Sequence, residues 1–550
     1  MVYRLYYENQ DGAAKTLSTS ENGDAVLFIE DDGERKRVVL KAKSRIKLNS
    51  YQEIGFKFRK LDNPEKDEKG DLYFMNGYQS WTDTREFYGD AQERNVKRLP
   101  KRLVERFAFD RYGDATFYEY DKRVLHGYDV FYVKGENGAF IFNLNYKNAY
   151  LIFELVRKTG ELSLLSDLNG KVLETSEEFT VADYVYAGSY EDGLKVFDKF
   201  FPLKKTEKIF GYTSWYNYYQ NINEEIILRD LAALGERVNL FQIDDGYETF
   251  VGDWLSVDKA KFPNGLKKIA DAAHEKGYKA GIWLAPFVAE ERSETFKTHP
   301  EWFKKGNDGK AVKCGSNWSG FYALDIENEE VKKYISTCLK TYADMGFDLF
   351  KLDFLYAASL PEYEGKTRSQ AAEYAYDFLR EVLGDKLILG CGATLFNAIG
   401  KFDYMRIGPD VSLEFDDVWF MRFMHRERIS TKTTLQNTIY RSFLNGRFFG
   451  CDPDVFLLRD DNIKLFERQR EALLTINALF GSVLMTSDNV AAYDDEKRGK
   501  LGEALNIFYG AKDVKFKRKG KKIYISYHID GEEKNIVYDT ERGEINAGQN

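Results

Sequence analysis

Two charged side chains interrupt one of the most apolar stretches of this chain. Residues 347–356 read Phe-Asp-Leu-Phe-Lys-Leu-Asp-Phe-Leu-Tyr, and the run of Leu and Phe is typical of a strand buried on both faces of a parallel sheet. Lys351 and Asp353 lie inside this run. Because an unpaired buried charge is costly, these two groups either form a structural ion pair or reach a pocket where the strand ends.

Other candidate strands also end in polar or aromatic residues. These residues are Trp215, Asp244, Asp245, Trp283, Cys391, Arg406 and Asp410. Each of these residues could have a purely structural role, since an Asp pair can belong to a turn and a Trp can belong to the hydrophobic core. In a barrel of parallel strands, however, active sites form where the carboxyl ends of the strands meet. The coincidence of so many such residues therefore favours one shared site.

This mixture of side chains suits a sugar. Carboxylates and a Lys bind hydroxyl groups, and Trp rings cover the apolar C–H faces of a pyranose. Two carboxylates on different strands, Asp353 and Asp410, suit glycoside hydrolysis. The sequence has no HExxH motif, no P-loop and no GxSxG motif. We therefore expect neither a metal nor a cofactor.

The elements that position these residues define a multi-domain α/β protein with additional β domains. Residues 1–190 predict an N-terminal β-sandwich, because short Val-, Ile-, Phe- and Tyr-rich runs alternate with turn signals. Residues 191–207 predict a helical connector. Residues 208–500 alternate strands with amphipathic helices, which indicates a central (β/α)8 TIM barrel. Residues 501–550 predict a small C-terminal antiparallel β domain. A doubly wound open sheet is the alternative to the barrel, but no GxGxxG motif follows the first strand.

The barrel prediction depends on eight strands and the helices between them. The predicted strands are Ile209–Trp215, Leu240–Asp244, Ala280–Ala285, Leu349–Phe354, Leu387–Gly390, Tyr404–Ile407, Arg447–Phe449 and Val483–Met485. The predicted helices include Glu224–Leu234, Leu266–Glu275, Glu329–Met345, Arg368–Leu383, Lys432–Leu444 and Ile463–Leu479. Within the sandwich, residues 76–83 predict a loop, in which Trp81 either plugs the local core or contributes to the neighbouring site.

Composition excludes several classes of protein. The chain has 550 residues, a net charge of −9 and a pI near 5.5, which argues against nucleic acid or an anionic membrane as partner. The four cysteines form no CxxC pair, so we expect neither a zinc site nor a disulfide framework. The first residues resemble no secretion signal, which predicts a cytoplasmic protein and makes the sequon Asn317-Trp-Ser a chance match.

Several motifs resemble the α-galactosidases of glycoside hydrolase family 36. They are Gly211-Tyr-Thr-Ser-Trp-Tyr216, Phe241-Gln-Ile-Asp-Asp-Gly-Tyr247, Gly281-Ile-Trp-Leu-Ala-Pro-Phe287, Phe350-Lys-Leu-Asp-Phe-Leu355, Leu389-Gly-Cys-Gly392 and Met405-Arg-Ile-Gly-Pro-Asp410. The first of them resembles the shorter prokaryotic members. The order of the motifs and the three-part layout match as well.

The resemblance implies a retaining double displacement on terminal α-galactosides, without cofactor. Asp353 would be the nucleophile and Asp410 the general acid and base. The substrate-binding residues that it implies are Asp244, Asp245, Lys351, Arg406, Trp283, Trp215, Cys391 and Trp81. We further expect Lys351 to hold the pKa of Asp353 down, since a neighbouring cation favours the carboxylate.

Alternatives to hydrolysis of α-galactosides remain open from the sequence. An α-N-acetylgalactosaminidase or an α-galactosyl transferase would use the same fold, and a non-catalytic sugar-binding protein belongs to a different class. The acidic loop Val411–Trp419 departs from the family pattern and leaves the preference for the leaving group open. The chain lacks the extra length of the longer family members, which predicts a monomer or a small homo-oligomer.

Overall fold

A computed structural model describes residues 2–58, 71–88, 93–135 and 138–548. Within these ranges no helix combines the length and apolar character needed to cross a membrane. The described chain comprises two antiparallel sheets, a curled parallel sheet with helices, a small three-stranded sheet and a C-terminal antiparallel sheet.

The N-terminal part consists of two antiparallel sheets that share an apolar core. The first runs Ala14–Leu17, Val2–Glu8, Ile46–Lys57, Glu161–Asp167, Tyr150–Val156, Val124–Tyr128, with Val172–Leu173 beside Ile46–Lys57. The second runs Ala25–Asp31, Arg35–Ala42, Glu178–Ala187, Ala139–Asn143, Val130–Lys134, Leu72–Met75, Arg85–Phe87. Strand Arg35–Ala42 alternates buried and more exposed residues, as a strand with one face on a core must. Phe131 and Phe153 meet between the sheets with ring centroids 5.4 Å apart.

Asp129 lies at the point where the chain steps from one of these sheets to the other. It separates strand Val124–Tyr128 from strand Val130–Lys134 and has a left-handed backbone, with φ of 60°. Its buried carboxylate accepts hydrogen bonds from Asn143 Nδ2 at 2.7 Å and from the Leu151 N–H at 3.0 Å. Burial raises the pKa of Asp129 to about 7, because these neutral donors only partly replace water.

The central sheet is parallel throughout and curled. Its strand order is Gly450–Asp452, Tyr404–Arg406, Leu387–Gly390, Leu349–Leu352, Lys279–Leu284, Leu240–Ile243, Ile209–Thr213, Val483–Thr486, Val455–Phe456. The first and last of these segments are separated by two residues in the chain. In addition, the Ser482 N–H donates to the Cys451 carbonyl at 2.9 Å, and Ser482 directly precedes the penultimate segment, Val483–Thr486.

Helices alternate with these strands much as predicted. The main ones are Glu224–Ala233, Lys267–Glu275, Glu329–Asp344, Arg368–Leu383, Thr431–Tyr440 and Glu467–Phe480. Shorter helices include Trp215–Tyr218, Glu294–Thr298 and Trp419–Met424. A small antiparallel sheet of Val288–Glu290, Phe321–Ala323 and Lys313–Gly315 projects between the third and fourth strands.

The seventh strand is not where the sequence predicted it. The prediction was Arg447–Phe449, whereas the strand starts at Gly450 and is interrupted after Asp452 by Pro453, which has no N–H to donate. Phe448 is apolar for another reason: its ring lies 4.9 Å from that of Phe201 and 4.8 Å from that of Phe396. The apolar residues that predicted a strand therefore belong to a connecting loop that packs against these rings.

Helices also join the central sheet to the β regions on either side. The helix of the predicted connector is Tyr190–Phe200, which begins one residue before the predicted start. Its Phe197 packs against Phe142 of the second sheet and Phe443 of the central region, at 5.1 and 5.7 Å between ring centroids. On the C-terminal side, the predicted boundary at residue 500 falls inside helix Asp495–Gly510. The strands Lys512–Lys519, Lys522–Ile529, Glu532–Asp539 and Glu544–Ala547 follow it.

Arg441 connects the loop at residues 76–80 to the central sheet. Its fully buried guanidinium donates five hydrogen bonds, all to uncharged oxygens. The acceptors are Asn76 Oδ1 and the carbonyls of Gly77, Gln79, Ser80 and Ile407, at 2.6 to 3.3 Å. Burial lowers the pKa of Arg441 to about 9.

We predict that Arg441→Met destabilises the protein by about 3 kcal/mol or more, because it leaves buried backbone oxygens without donors. Urea-induced unfolding measures the change. Arg468→Met is the matched control, since that side chain is 71% exposed and its loss should alter stability by about 0.5 kcal/mol or less. Equal unfolding midpoints for the two variants would contradict the role assigned to Arg441.

We also predict that Asp129→Asn stabilises the protein at alkaline pH. With a folded pKa near 7 and an unfolded value near 4, the wild type loses stability as the pH rises from about 4 to 7. The Asn side chain does not ionise, so the variant does not lose stability over this pH range, and Asn tolerates the left-handed backbone. It should gain up to about 4 kcal/mol relative to the wild type between pH 4 and pH 8.

Urea unfolding at both pH values tests this expectation, with Asp11→Asn on an exposed turn as the control. If the difference in unfolding free energy between Asp129→Asn and the wild type is the same at both pH values, ionisation of Asp129 does not destabilise the folded protein and the expectation is wrong.

Candidate active site

The carboxyl ends of the parallel strands open into a cavity of about 860 Å³. Eight of the ten residues predicted for the site line it. They are Trp81, Trp215, Asp244, Asp245, Trp283, Lys351, Asp353 and Asp410. The other two, Arg406 and Cys391, are buried and contact the lining residues from behind. Within the described ranges, no group of three or more His, Cys, Asp or Glu side chains is placed to hold a metal ion.

Asp353 follows strand Leu349–Leu352 and is held by uncharged donors. Its Oδ2 accepts a hydrogen bond from Trp283 Nε1 at 3.0 Å, and its Oδ1 accepts one from the Phe354 N–H at 2.8 Å. The Cys391 thiol also hydrogen-bonds to it. Phe354 itself has a left-handed backbone, with φ of 53°. The geometry orients both carboxylate oxygens.

The pKa of Asp353 is raised, which corrects the direction expected from the sequence. Burial is the largest cause, and the nearby Asp410 adds to it. Lys351 does lower the pKa of Asp353, as expected, but its effect is smaller than that of burial.

Lys351 pairs with Asp244 across the cavity floor. Its Nζ lies 2.7 Å from Asp244 Oδ2, and both side chains are almost fully buried. Thr213 Oγ1 and Gln242 Nε2 donate to the same carboxylate oxygen at 3.1 and 3.0 Å. The structural ion pair considered for Lys351 thus exists, but its partner comes from another strand and lines the same cavity.

Asp245 belongs to a second carboxyl pair, with Glu248. Gln220 Nε2 and Trp318 Nε1 donate to Asp245, the latter at 2.9 Å. Burial raises the pKa of Asp245, and hydrogen bonds from Glu248, Gln220 and Trp318 oppose that rise. Burial and the negative neighbour raise the pKa of Glu248 well above its usual range. Glu248 is therefore the member of the pair that keeps the proton.

Arg406 connects Asp410 to a third acid, Asp454. Its Nη2 lies 2.9 Å from Asp410 Oδ1 and 3.0 Å from Asp454 Oδ2. Asp454 also accepts hydrogen bonds from the Tyr216 hydroxyl at 2.5 Å and from the Val411 N–H at 2.7 Å. Burial raises the pKa of Asp454 to about 7. The side chain of Asp410, in contrast, is 31% exposed and reaches into the cavity.

Trp81 reaches the site from the loop between two strands of the N-terminal sheets. Its Nε1 donates to Cys391 Sγ at 3.4 Å, and its ring packs edge-on against Phe354 at 5.1 Å between centroids. A Cβ added at Gly392 would lie 2.9 Å from the Trp81 ring, so this close approach requires glycine. Of the two interpretations of Trp81, the contribution to the neighbouring site agrees with the structure.

The sequence analysis missed several lining residues. Trp318 lies within the sequon that we attributed to chance, and its conformation has a positive φ of 54°. Asp454 contacts Arg406 behind the lining and lies two residues after the seventh strand, in an Asp-Pro-Asp sequence that the misplaced strand hid. Phe109, Tyr112 and His425 gave no local signal, because they reach the cavity from segments far from the strand ends.

Comparison with known proteins supports a relationship to sugar hydrolases. Residues 203–383 match the family model described as Melibiase. The A type blood alpha-D-galactosamine galactosaminidase of Flavonifractor plautii is 28% identical over 259 residues, which cover 40% of this chain and 23% of that protein. The bifunctional alpha-galactosidase/sucrose kinase AgaSK of Mediterraneibacter gnavus is 23% identical over 376 residues, 61% of this chain and 38% of that protein. The matched part thus spans less than two fifths of either relative.

The fold has solved counterparts over nearly its whole length. TtGalA, an alpha-galactosidase from Thermus thermophilus solved with p-nitrophenyl alpha-D-galactopyranoside, has a TM-score of 0.71 and 24% identity, covering 97% of this chain and 98% of that one. At this identity the likeness concerns the fold. The matched family model and the alpha-galactosidases among the matched relatives confirm the resemblance inferred from the motifs: this chain is similar to the α-galactosidases of glycoside hydrolase family 36.

Proposed function

We propose that the protein is a retaining α-galactosidase that releases terminal α-D-galactose from galacto-oligosaccharides such as melibiose and raffinose. The observation that carries the proposal is the arrangement of Asp353 and Asp410, two carboxylates from different strand ends that line one cavity together with the Lys351–Asp244 pair. Two acidic groups in one sugar-sized site are what glycoside hydrolysis requires. The names of the matched relatives agree with this chemistry.

In this mechanism Asp353 attacks the anomeric carbon while Asp410 gives its proton to the departing glycosidic oxygen. The glycosidic bond breaks, and galactose becomes covalently bound to Asp353. Asp410, now a carboxylate, removes a proton from a water molecule that releases galactose with its original configuration. The hydrogen bonds from Trp283 and the Phe354 N–H hold the attacking carboxylate in one orientation.

Recognition of galactose is assigned to the remaining polar residues. Asp244 and Asp245 would bind the 4- and 6-hydroxyls, Lys351 the 3- and 4-hydroxyls, and Arg406 the 2- and 3-hydroxyls. Because Asp244 and Lys351 are buried, an epimer that leaves them without a hydroxyl partner is penalised. Trp81, Trp215 and Trp283 would pack on the sugar, and Cys391 would line its 2-position from behind Trp81.

The proposal extends to the architecture. The curled sheet would be a closed (β/α)8 barrel, which the two-residue gap between Gly450–Asp452 and Val455–Phe456 supports. Residues 1–190 would form the sandwich domain, 191–207 the connector, 208–500 the catalytic barrel, and 501–550 the C-terminal domain, with helix Asp495–Gly510 crossing the last boundary. A cytoplasmic location and a monomeric or small homo-oligomeric state stay predictions.

One specific observation favours a second candidate function. The match to a galactosaminidase makes removal of an amino sugar, or of N-acetylgalactosamine, the main competitor. A 2-acetamido group needs space beside the 2-position, where the Trp81 indole covers the Cys391 thiol. This close packing favours a 2-hydroxyl.

We predict hydrolysis of p-nitrophenyl α-galactoside in a panel that also contains the α-N-acetylgalactosaminide, the α-glucoside and the β-galactoside. Activity on the other three should be lower by about a hundredfold or more, since unpaired buried polar groups discriminate strongly. Initial rates at a fixed enzyme concentration give the comparison. Preference for the acetamido sugar would overturn the assignment at Cys391 but keep the catalytic pair.

We predict that Asp353→Ala and Asp410→Ala respond differently to azide. Asp353→Ala should lose about 10⁴-fold or more in kcat, and azide should restore turnover with a β-galactosyl azide product, because azide replaces the nucleophile. For Asp410→Ala, azide should attack the covalent intermediate and form the α-galactosyl azide. NMR of the product identifies the anomer.

Asp377→Ala is the matched control for these variants, since this side chain lies on a helix and is 67% exposed. It should keep the activity of the wild type. The same azide anomer from both catalytic variants would contradict the two roles.

A further inference from the structure

Asp454 is a buried carboxylate that the proposed mechanism does not use, although several groups at the cavity bind it. Two hydrogen bonds and one ion pair reach the same oxygen, Oδ2. The Tyr216 hydroxyl donates to it at 2.5 Å, the Val411 N–H donates at 2.7 Å, and Arg406 Nη2 lies 3.0 Å away. Tyr216 and Val411 line the cavity, whereas Asp454 lies behind them.

Two of these contacts connect Asp454 to Asp410. Val411 directly follows Asp410 in the chain, so the hydrogen bond from its N–H fixes the backbone next to the proposed acid. Arg406 Nη2 also donates to Asp410 Oδ1 at 2.9 Å, so one nitrogen lies between the two carboxylates. The position of Asp410 therefore depends on Asp454 both through the chain and through the guanidinium.

The backbone of Asp454 has an uncommon conformation. Its φ is 79°, in the left-handed region, and its N–H donates to Asp452 Oδ1 at 2.8 Å. A residue other than glycine is strained in this region unless its surroundings hold it, and Asp and Asn tolerate it best. The contacts at Oδ2 hold the side chain of Asp454 in place. An Asn at this position would keep the backbone conformation and lose only the charge.

The acids around Arg406 compete for a single cation. Burial raises the pKa of Asp454 to about 7; Arg406 opposes this rise, whereas Asp410 and Asp452 add to it. The pKa of the Tyr216 hydroxyl is raised well above its usual range by burial, so this group stays a donor, and its hydrogen bond lowers the pKa of Asp454. Carboxylates that share one buried cation repel each other, so they titrate together and retain a proton.

We infer that Asp454 is a positioning residue for the acid–base step: it fixes Asp410 through Arg406 and the Val411 N–H, and its negative charge balances the guanidinium when the reactive proton lies on Asp410. This role rests on the proposed function and adds a residue to it. Without the charge of Asp454, Arg406 would face Asp410 alone and favour its carboxylate form, which has no proton for the departing glycosidic oxygen. Once Asp410 has given up its proton, Arg406 stabilises the carboxylate until it takes a proton from water.

The pH dependence of kcat/KM for melibiose tests this role. In the wild type, kcat/KM should fall above about pH 7, where the Asp410–Asp454 pair loses its proton. In Asp454→Asn the fall should begin about one pH unit lower, which gives a loss of about tenfold at pH 8, because the charge that helps to retain the proton is gone. Tyr216→Phe should move the fall to higher pH, since it removes a hydrogen bond that favours the ionised form of Asp454.

A substrate that needs no proton from the enzyme separates this role from general damage to the site. α-Galactosyl fluoride releases fluoride, so Asp454→Asn should lower kcat/KM for it by about threefold or less at pH 8. Asp385→Asn is the matched control, since Asp385 lies on an exposed turn, and it should match the wild type on both substrates.

Equal losses of Asp454→Asn on both substrates, or a pH profile for melibiose that does not move, would overturn the role of Asp454. If Asp454→Asn does not fold, Tyr216→Phe decides: a fall at higher pH supports the role, and an unchanged or lower pH overturns it. A wild-type protein inactive on both substrates would overturn the proposed function itself.

Discussion

The buried guanidinium of Arg441 connects the loop at residues 76–80 of the N-terminal region to the central sheet. Because Arg441 is fully buried, its five N–H donors must find acceptors within the fold, and four of the five acceptors are backbone carbonyls. Three of these carbonyls belong to the loop before Trp81, and one belongs to Ile407, next to Arg406. The position of the Trp81 ring over Cys391 and the position of the strand that leads to Asp410 therefore depend on the same side chain.

The cavity assembles acids whose environments differ. Asp244 is paired with a buried Lys351, whereas Asp353 receives its closest hydrogen bonds from uncharged groups. Asp410 shares Arg406 with the buried Asp454. In the proposed mechanism each arrangement would answer a different need: the ion pair would fix a binding group, the uncharged donors would orient the attacking oxygen, and the shared cation would position the acid that reaches solvent.

Much of the central sheet was predictable because the relevant patterns are local. Helix Arg368–Leu383 was predicted with its observed bounds, since Thr367 and Gln370 form a capping box and apolar residues recur on one face. The prediction of the seventh strand was wrong because Phe448 and Phe449 are apolar for a different reason: they pack within a loop. Helix Asp495–Gly510 was read partly as β structure, because its apolar residues follow the helical period only weakly.

The sequence by itself determined which chemical groups end each strand, and thereby the family resemblance and the two carboxylates. It did so because strand periodicity and strand-end polarity are properties of neighbouring residues. Tertiary structure alone decided that Lys351 pairs with Asp244, that Asp454 shares Arg406 with Asp410, and that burial outweighs Lys351 in setting the pKa of Asp353. It also brought Phe109 and Trp318 to the cavity. These outcomes depend on which segments meet when the sheet curls and on how deeply each charge is covered, and neither quantity is encoded in a local pattern.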